Sequence, residues 1–270
     1  MSDAVSQLAE VTLPKLSPAV YIVGAGPGDP ELLTVKAQKL LAQADVILFA
    51  DSLIPEQILT GVRSFAEVIP TADKTLEEIL PLMVERVRAS KSVVRLHSGD
   101  PSLYSAIHEQ IQALAAADIP FEVIPGISAF QAAAAKLGVE LTIPGLVQTI
   151  ILTRIGGRSQ VPEKEELSSL AAHQASLCLY LSARHVEAAQ NQLMEYYPGD
   201  TPVAICFRLG WPDERILLVR LHEMAGVTQQ EKLKRTTLYL ISPALGKVEL
   251  MRSRLYHPEH SHLFRQRSND

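Results

Sequence analysis

Short apolar runs alternate with stretches of helical period along most of the chain. Residues 19–23 read as a strand and residues 46–50 as a second. Between them Leu32, Leu33, Val35, Ala37, Leu40 and Leu41 recur at helical spacing and predict an amphipathic helix. A helical stretch is expected from about Pro55, then a short strand near residues 67–69. Residues 76–89 carry a helical period that Pro81 should kink or restart. Residues 93–96 form the next strand, with a helix expected over 103–116. A strand over 121–124 and an alanine-rich helix through Leu137 follow. Strand and helix thus alternate about five times, which predicts a parallel sheet covered on both faces.

Around Thr142-Ile143-Pro144-Gly145 the pattern breaks. Strands are then expected over 148–153, 176–181, 202–207, 216–220 and 236–241, with a helix over 185–196. These strands fall closer together, which suggests a mixed sheet with hairpin connections. The predicted organisation is a loose arm over 1–18, an N-terminal α/β domain over 19–143, a C-terminal α/β domain over 147–245 and a polar tail over 246–270.

Composition narrows the class. The chain has 270 residues, 47% of them hydrophobic and 20% charged, as expected of a globular enzyme with ample core. No apolar run approaches the roughly 18 residues needed to span a bilayer, so no membrane partner is expected. Residues 1–10 contain acids and no basic segment, so they do not read as a signal peptide. A net charge of −5 argues against a nucleic-acid surface. Cys178 and Cys206 each fall in a predicted buried strand and read as reduced, structural thiols of a cytoplasmic protein. His257, His260 and His262 lack acid or cysteine partners at ligand spacing, so they read as a solvated tail and no metal site is assigned.

The chemistry is expected where strands end. The first strand runs into Gly24-Ala25-Gly26-Pro27-Gly28-Asp29-Pro30, and the strand over 93–96 into Gly99-Asp100-Pro101. Open α/β folds place ligands at that edge. Asp100 suits a helix N-cap and Pro101 the first helical position, where its missing donor costs nothing. In Pro125-Gly126-Ile127-Ser128-Ala129, the small Ser128 and Ala129 leave room for a ligand at a helix N-terminus. The first loop also matches two-thirds of a dinucleotide fingerprint, and Asp51 stands where an acid would hold a ribose. Asp29 occupies the third glycine place, which counts against a nicotinamide-dependent oxidoreductase.

Taken in order, Tyr21-Ile22-Val23-Gly24-Ala25-Gly26-Pro27-Gly28-Asp29-Pro30, Val94-Arg95-Leu96-His97-Ser98-Gly99-Asp100-Pro101 and Pro125-Gly126-Ile127-Ser128-Ala129 resemble the tetrapyrrole methylases. These are S-adenosylmethionine (SAM) enzymes of the corrin and sirohaem pathways. Ala50-Asp51-Ser52-Leu53, Leu141-Thr142-Ile143-Pro144, Ile151-Leu152-Thr153-Arg154 and Trp211-Pro212-Asp213-Glu214 look most like the branch that methylates precorrin-4, or its cobalt form, at carbon 11. Siblings acting on other carbons share the first loop and Gly-Asp-Pro.

The resemblance implies two α/β domains, a homodimer, and SAM in a cleft between the domains. Pro27 would pack on the cofactor, Ser98, Gly99 and Asp100 would meet its methionine part, and Leu103 and Tyr104 would close over it. Ser128 and Ala129 would add contacts, and Leu181, Ala204 and Thr237 would line the adenosine side. Asp51 and His97 are the candidates for steering a proton or orienting the ring. Arg154, Arg158 and Arg208 are candidates for the carboxylates of a precorrin substrate, since guanidinium forks match them. A non-catalytic tetrapyrrole carrier would need the arginines but not the Gly-Asp-Pro loop.

Overall fold

The computed structural model describes residues 15–157 and 160–246. They fall into two compact units that divide between Ser128 and Ala129. Residues 1–14 of the expected arm, Arg158 and the tail histidines lie outside the described residues.

The first unit contains β1 (Val20–Gly24), α1 (Val35–Gln43), β2 (Val46–Phe49), β3 (Glu67–Pro70), α2 (Leu76–Arg88), β4 (Val93–His97), α3 (Ile107–Ala116) and β5 (Phe121–Ile124). Its sheet has the order β3-β2-β4-β1-β5, with every pair parallel. Val20, Ile22, Val46, Leu48 and Val93 pack on one face with Ile79, Met83 and Val87 of α2 and Leu114 of α3. Tyr21, Val23, Ile47, Phe49, Val94 and Leu96 pack on the other with Ala37, Leu40 and Leu41 of α1. Burial on both faces explains why the central strands read as continuous apolar runs.

The crossovers locate the functional edge. β1 leaves through α1 on one face, and β4 leaves through α3 on the other. β1 and β4 are neighbours, so the sheet's direction of winding changes between their carboxyl ends. Open sheets bind ligands at such a switch point, because diverging connections leave a crevice there.

Local chemistry shifts several expected boundaries. Asp29 caps a separate 3-10 turn, Pro30–Leu32, by accepting the Glu31 N–H at 2.9 Å. The α-helix begins only at Val35, where the Thr34 hydroxyl accepts the Ala37 N–H at 3.1 Å. Val35 is thereby turned outward, 67% exposed, and is not part of the apolar face. The stretch after Pro55 is only a 3-10 turn, Glu56–Leu59. Pro81 lies inside α2 without ending it; the entry of that helix is secured by Glu78, which accepts the Thr75 N–H at 2.7 Å.

The second unit contains α4 (Ala129–Leu137), β6 (Ile150–Arg154), α5 (Leu167–Ala171), β7 (Ser176–Tyr180), α6 (Val186–Met194), β8 (Pro202–Phe207), β9 (Arg215–Arg220), α7 (Met224–Gln230) and β10 (Thr237–Ile241). Its sheet has the order β6-β7-β10-β8-β9; β6 and β7 pair in parallel and the other pairs are antiparallel. The expected mixed sheet is therefore present. One face packs against α5, α6 and α7 through Leu167, Ala171, Val186, Leu193 and Met224. On the other, Cys178, Ala204, Cys206, Leu238 and Leu240 surround Ala133 of α4, where short side chains allow close packing. Among the described residues, no helix is long and apolar enough to cross a membrane.

Candidate active site

Three loops meet at the switch point of the first sheet. The Gly26 N–H donates to Gly99 O at 3.2 Å and the Gly99 N–H returns to Gly26 O at 2.7 Å. The Ala25 N–H adds a bond to His97 O at 2.7 Å. The loop after β5 lies against both: a Cβ on Gly24 would come within 2.5 Å of Gly126 N and 2.8 Å of Gly99 O. A Cβ on Gly126 would fall 2.3 Å from Gly99 O. Glycine at 24 and 126 is therefore a demand of backbone packing. Gly24 looks like part of a dinucleotide fingerprint in the sequence, and Gly126 carries no signal beyond its motif.

Asp100 is not the helix cap that its sequence context suggests. Pro101 to Ser105 form a turn, and α3 begins only at Ile107 after Tyr104 and Ala106 adopt positive φ, 53° and 49°. The carboxylate instead joins two loops. Its Oδ1 accepts the Ser102 N–H at 2.9 Å and the Ser102 hydroxyl, while Oδ2 accepts the Gly126 N–H at 2.8 Å. Burial opposes ionisation, but the bonds from the Ser102 hydroxyl, Gly126 N–H and Ser102 N–H outweigh it and hold Asp100 below the usual carboxylate range.

Other predicted contacts of this unit gather around the same loops. Pro27 and Gly28 are buried, and the Gln57 side chain donates to Gly28 O at 2.7 Å. Ser98 and Leu103 are half-buried, and Tyr104 is exposed. Ser128 is buried, its Cα 3.8 Å from where a Cβ on Gly99 would lie. Ala129, the first residue of the second unit, is half-buried and opens α4.

Asp51 follows β2 and is exposed; its Oδ1 accepts the Ala72 N–H at 2.9 Å and joins the ends of β2 and β3. His97 is the last residue of β4 and only 7% exposed. Burial, with the nearby Arg95 cation, pushes its pKa down to about 3, so its imidazole is neutral at physiological pH. The sequence did not mark Arg95 as a site residue. It is 8% exposed, and its Nη1 donates to the Thr71 hydroxyl at 2.9 Å, which in turn donates to Phe49 O at 3.0 Å. The available signal was a single cation inside an otherwise apolar buried strand.

In the second unit, register brings most of the predicted residues to one edge of the sheet. Arg154 ends β6 and pairs with Tyr180, Leu181 follows β7, and Thr237 opens β10 opposite Phe207. Arg208 follows Phe207 and is joined to β10 by its N–H, which donates to Thr236 O at 2.9 Å. Leu181 is 68% exposed at φ 53°, an unfavourable setting for an apolar branched side chain, and Arg208 also has positive φ, 49°. The Arg208 guanidinium lies 4.8 Å from the Trp211 ring centroid and pairs with Asp213 at 2.6 Å, so much of it is already engaged. Arg154 donates to Gln160 O at 3.2 Å, and Thr237 to Arg235 O at 3.2 Å. Ala204 stands apart: it pairs with Leu240 inside the sheet, fully buried in the core beside α4.

Comparison with known proteins gives this arrangement its context. Residues 19–225 match the tetrapyrrole (corrin/porphyrin) methylases. The chain is 43% identical over 246 residues to a precorrin-4 C(11)-methyltransferase of Pseudomonas aeruginosa, covering 91% of this chain and 98% of that one. It is also 43% identical over 248 residues to a cobalt-precorrin-4 C(11)-methyltransferase of Methanocaldococcus jannaschii, covering 92% and 96%. The solved structure of a cobalt precorrin-4 methyltransferase superposes with a TM-score of 0.82 at 41% identity, covering 85% of this chain and 97% of that one. A uroporphyrin-III C-methyltransferase from Thermus thermophilus, solved with S-adenosylhomocysteine, gives 0.70 at 30% identity and covers 84% and 98%. The match over most of the chain in both sequence and fold shows that this chain belongs to the tetrapyrrole methylases.

Proposed function

We propose that this protein transfers a methyl group from SAM to carbon 11 of precorrin-4 or cobalt-precorrin-4 in corrin-ring synthesis. The observation that carries this reading is the packing of Gly24, Gly99 and Gly126 at the switch point, with the Asp100 carboxylate held ionised beside them. A loop system this close-packed leaves backbone groups and one anion facing the sheet edge, which suits a ligand with an ammonium group and hydrogen-bonding hydroxyls. SAM fits that chemistry and, when bound, supplies an electrophilic methyl on a sulfonium.

The chain's own residues then have three tasks. Asp100, anchored by Ser102 and Gly126, orients the ammonium end of the cofactor while its loop fixes the register. The buried Pro27 loop and Ser128 exclude water, which favours loss of positive charge at the reacting centre. Proton handling falls to Asp51 rather than His97: Ala72 engages Oδ1 of Asp51 and leaves Oδ2 to the substrate, whereas a neutral, buried imidazole has little tendency to take or give a proton. Holding the reactants in near-attack geometry supplies most of the acceleration. Leu181 and Thr237 contribute to the adenosine side, and Arg154 and Arg208 meet substrate carboxylates. The protein acts as a homodimer in the cytoplasm.

The test is incubation with SAM and precorrin-4, with and without cobalt. A product methylated at carbon 11 by NMR, with stoichiometric S-adenosylhomocysteine, is expected. Methylation at another carbon would reassign the branch, and absence of any methylated product would overturn the reading. Sedimentation of the intact protein tests the homodimer.

A further inference from the structure

Arg95 carries a buried charge for which the described residues supply no counter-ion. Among the described residues it is in no ion pair, and its Nε is buried without a hydrogen-bond partner. Two other groups of the first unit also lack a hydrogen-bond partner. Nε2 of His97 is buried and unpartnered, as is Oε1 of Gln110 on α3, one of the helices that cover the same face of the sheet. Water could satisfy the hydrogen bonds, but it could not neutralise the guanidinium. Proteins rarely leave a buried charge uncompensated, because desolvation disfavours it strongly.

The register shows where the guanidinium goes. Arg95 is level with Leu48 of β2, yet its Nη1 reaches Thr71, the residue after the end of β3. Thr71 donates its N–H to Phe49 O, and Phe49 pairs with Leu96. The head of Arg95 therefore crosses β2 and rises to the level of His97, the last residue of β4. There it lies at the carboxyl edge, near the Asp51–Ala72 tie and one residue before the Ser98-Gly99-Asp100 loop.

We propose that Arg95, oriented by Thr71 and flanked by His97, is the seat for a carboxylate of the bound ligands. The inference rests on the proposed methyltransferase function, in which two molecules offer that group: the methionine moiety of SAM and the acidic side chains of the macrocycle. A guanidinium suits the task because it stays charged when buried and presents paired donors to a planar anion. Burial lowers its pKa only to about 10, so the cation persists at neutral pH. The neutral His97 fits beside it, since a second cation would repel the first.

Arg95→Met keeps the stem and removes the charge; Arg95→Lys keeps the charge and removes the fork. A purely structural arginine predicts that Arg95→Met lowers the melting temperature and leaves ligand affinities unchanged. A carboxylate seat predicts a ligand-free protein that melts at or above the wild type, with at least tenfold weaker binding of one ligand. Calorimetry with S-adenosylhomocysteine and its decarboxylated analogue identifies the source. If the methionine carboxylate sits on Arg95, the wild-type preference for the carboxylated form disappears in Arg95→Met. If the macrocycle sits there, S-adenosylhomocysteine binds normally while the KM for precorrin-4 rises at least tenfold. Should the Met variant fail to fold, Arg95→Lys should still weaken the same ligand severalfold. Wild-type affinity for both ligands in a folded variant would overturn the proposal. Wild-type protein that binds neither ligand would overturn the functional reading itself, whereas a loss confined to the Arg95 variants cannot arise that way.

Discussion

The carboxylate of Asp100 accepts the backbone N–H of Gly126 at 2.8 Å, and so joins the loop after β4 to the loop after β5. Its other oxygen is taken by Ser102, so both oxygens act as acceptors. Asn would turn an NH2 group toward one of these donors. Asp100→Asn is therefore expected to lose about 1–3 kcal/mol of stability, as well as affinity for SAM by about tenfold or more. A plain helix cap would tolerate Asn at almost no cost. Chemical denaturation and calorimetry on the same variant separate the outcomes; unchanged stability would show that the Gly126 tie contributes nothing.

Gly24 and Gly126 differ from other glycines in what surrounds them. Gly24→Ala forces a methyl group into the backbone of Gly126 and Gly99, and a cost of about 1–3 kcal/mol or more is expected, with loss of SAM binding. Gly226, inside α7, has nothing within 4 Å of an added Cβ. Gly226→Ala should stabilise the protein by about 0.5–1 kcal/mol, because alanine loses less backbone freedom in a helix. Melting curves of the pair provide the check, and equal effects would refute the packing account.

His97 gives the stability a distinctive acid dependence. Its folded pKa, about 3, lies below the ordinary value of 6.5, so the unfolded chain binds the extra proton between those limits. The stability associated with neutral His97 is present above pH 6.5 and falls as the pH drops through that window, by up to about 1.4 kcal/mol per pH unit. His97→Gln should flatten the slope between pH 6.5 and about 5, above the range in which the unfolded chain takes up protons at Asp45, Glu67 and Asp100, whose folded pKa values are lowered. Urea titrations across that range measure it directly.

The two thiols should be inert in the native protein. Burial, with smaller contributions from Cys206 on Cys178 and from Glu214 on Cys206, pushes each up to about 12. Thiolate is the reactive form, so neither cysteine should react with Ellman's reagent at pH 8 until the chain unfolds. Rapid native labelling of either would show that the α4 face opens readily.

Much of this protein is legible in its sequence because the signals are local. Continuous apolar runs such as Val46–Phe49 need burial on both faces, and the interposed helical periods need a parallel sheet to cover. The closer strands of the second half likewise required a mixed sheet. The motifs at strand ends identified the family and the loops that meet in the first unit. Proximity was not legible. Nothing local says that Gly24 and Gly126, a hundred residues apart, touch backbone to backbone, or that Asp100 ties its own loop to that of Gly126. Asp100-Pro101 reads as a helix start because capping is a short-range preference; Asp100 does accept the local Ser102 N–H, but its other oxygen takes the distant Gly126 N–H, and the α-helix begins only at Ile107. The neutrality of His97 and the solitary charge of Arg95 also depend on what covers them, and burial is a property of the packed sheet and its helices rather than of either residue.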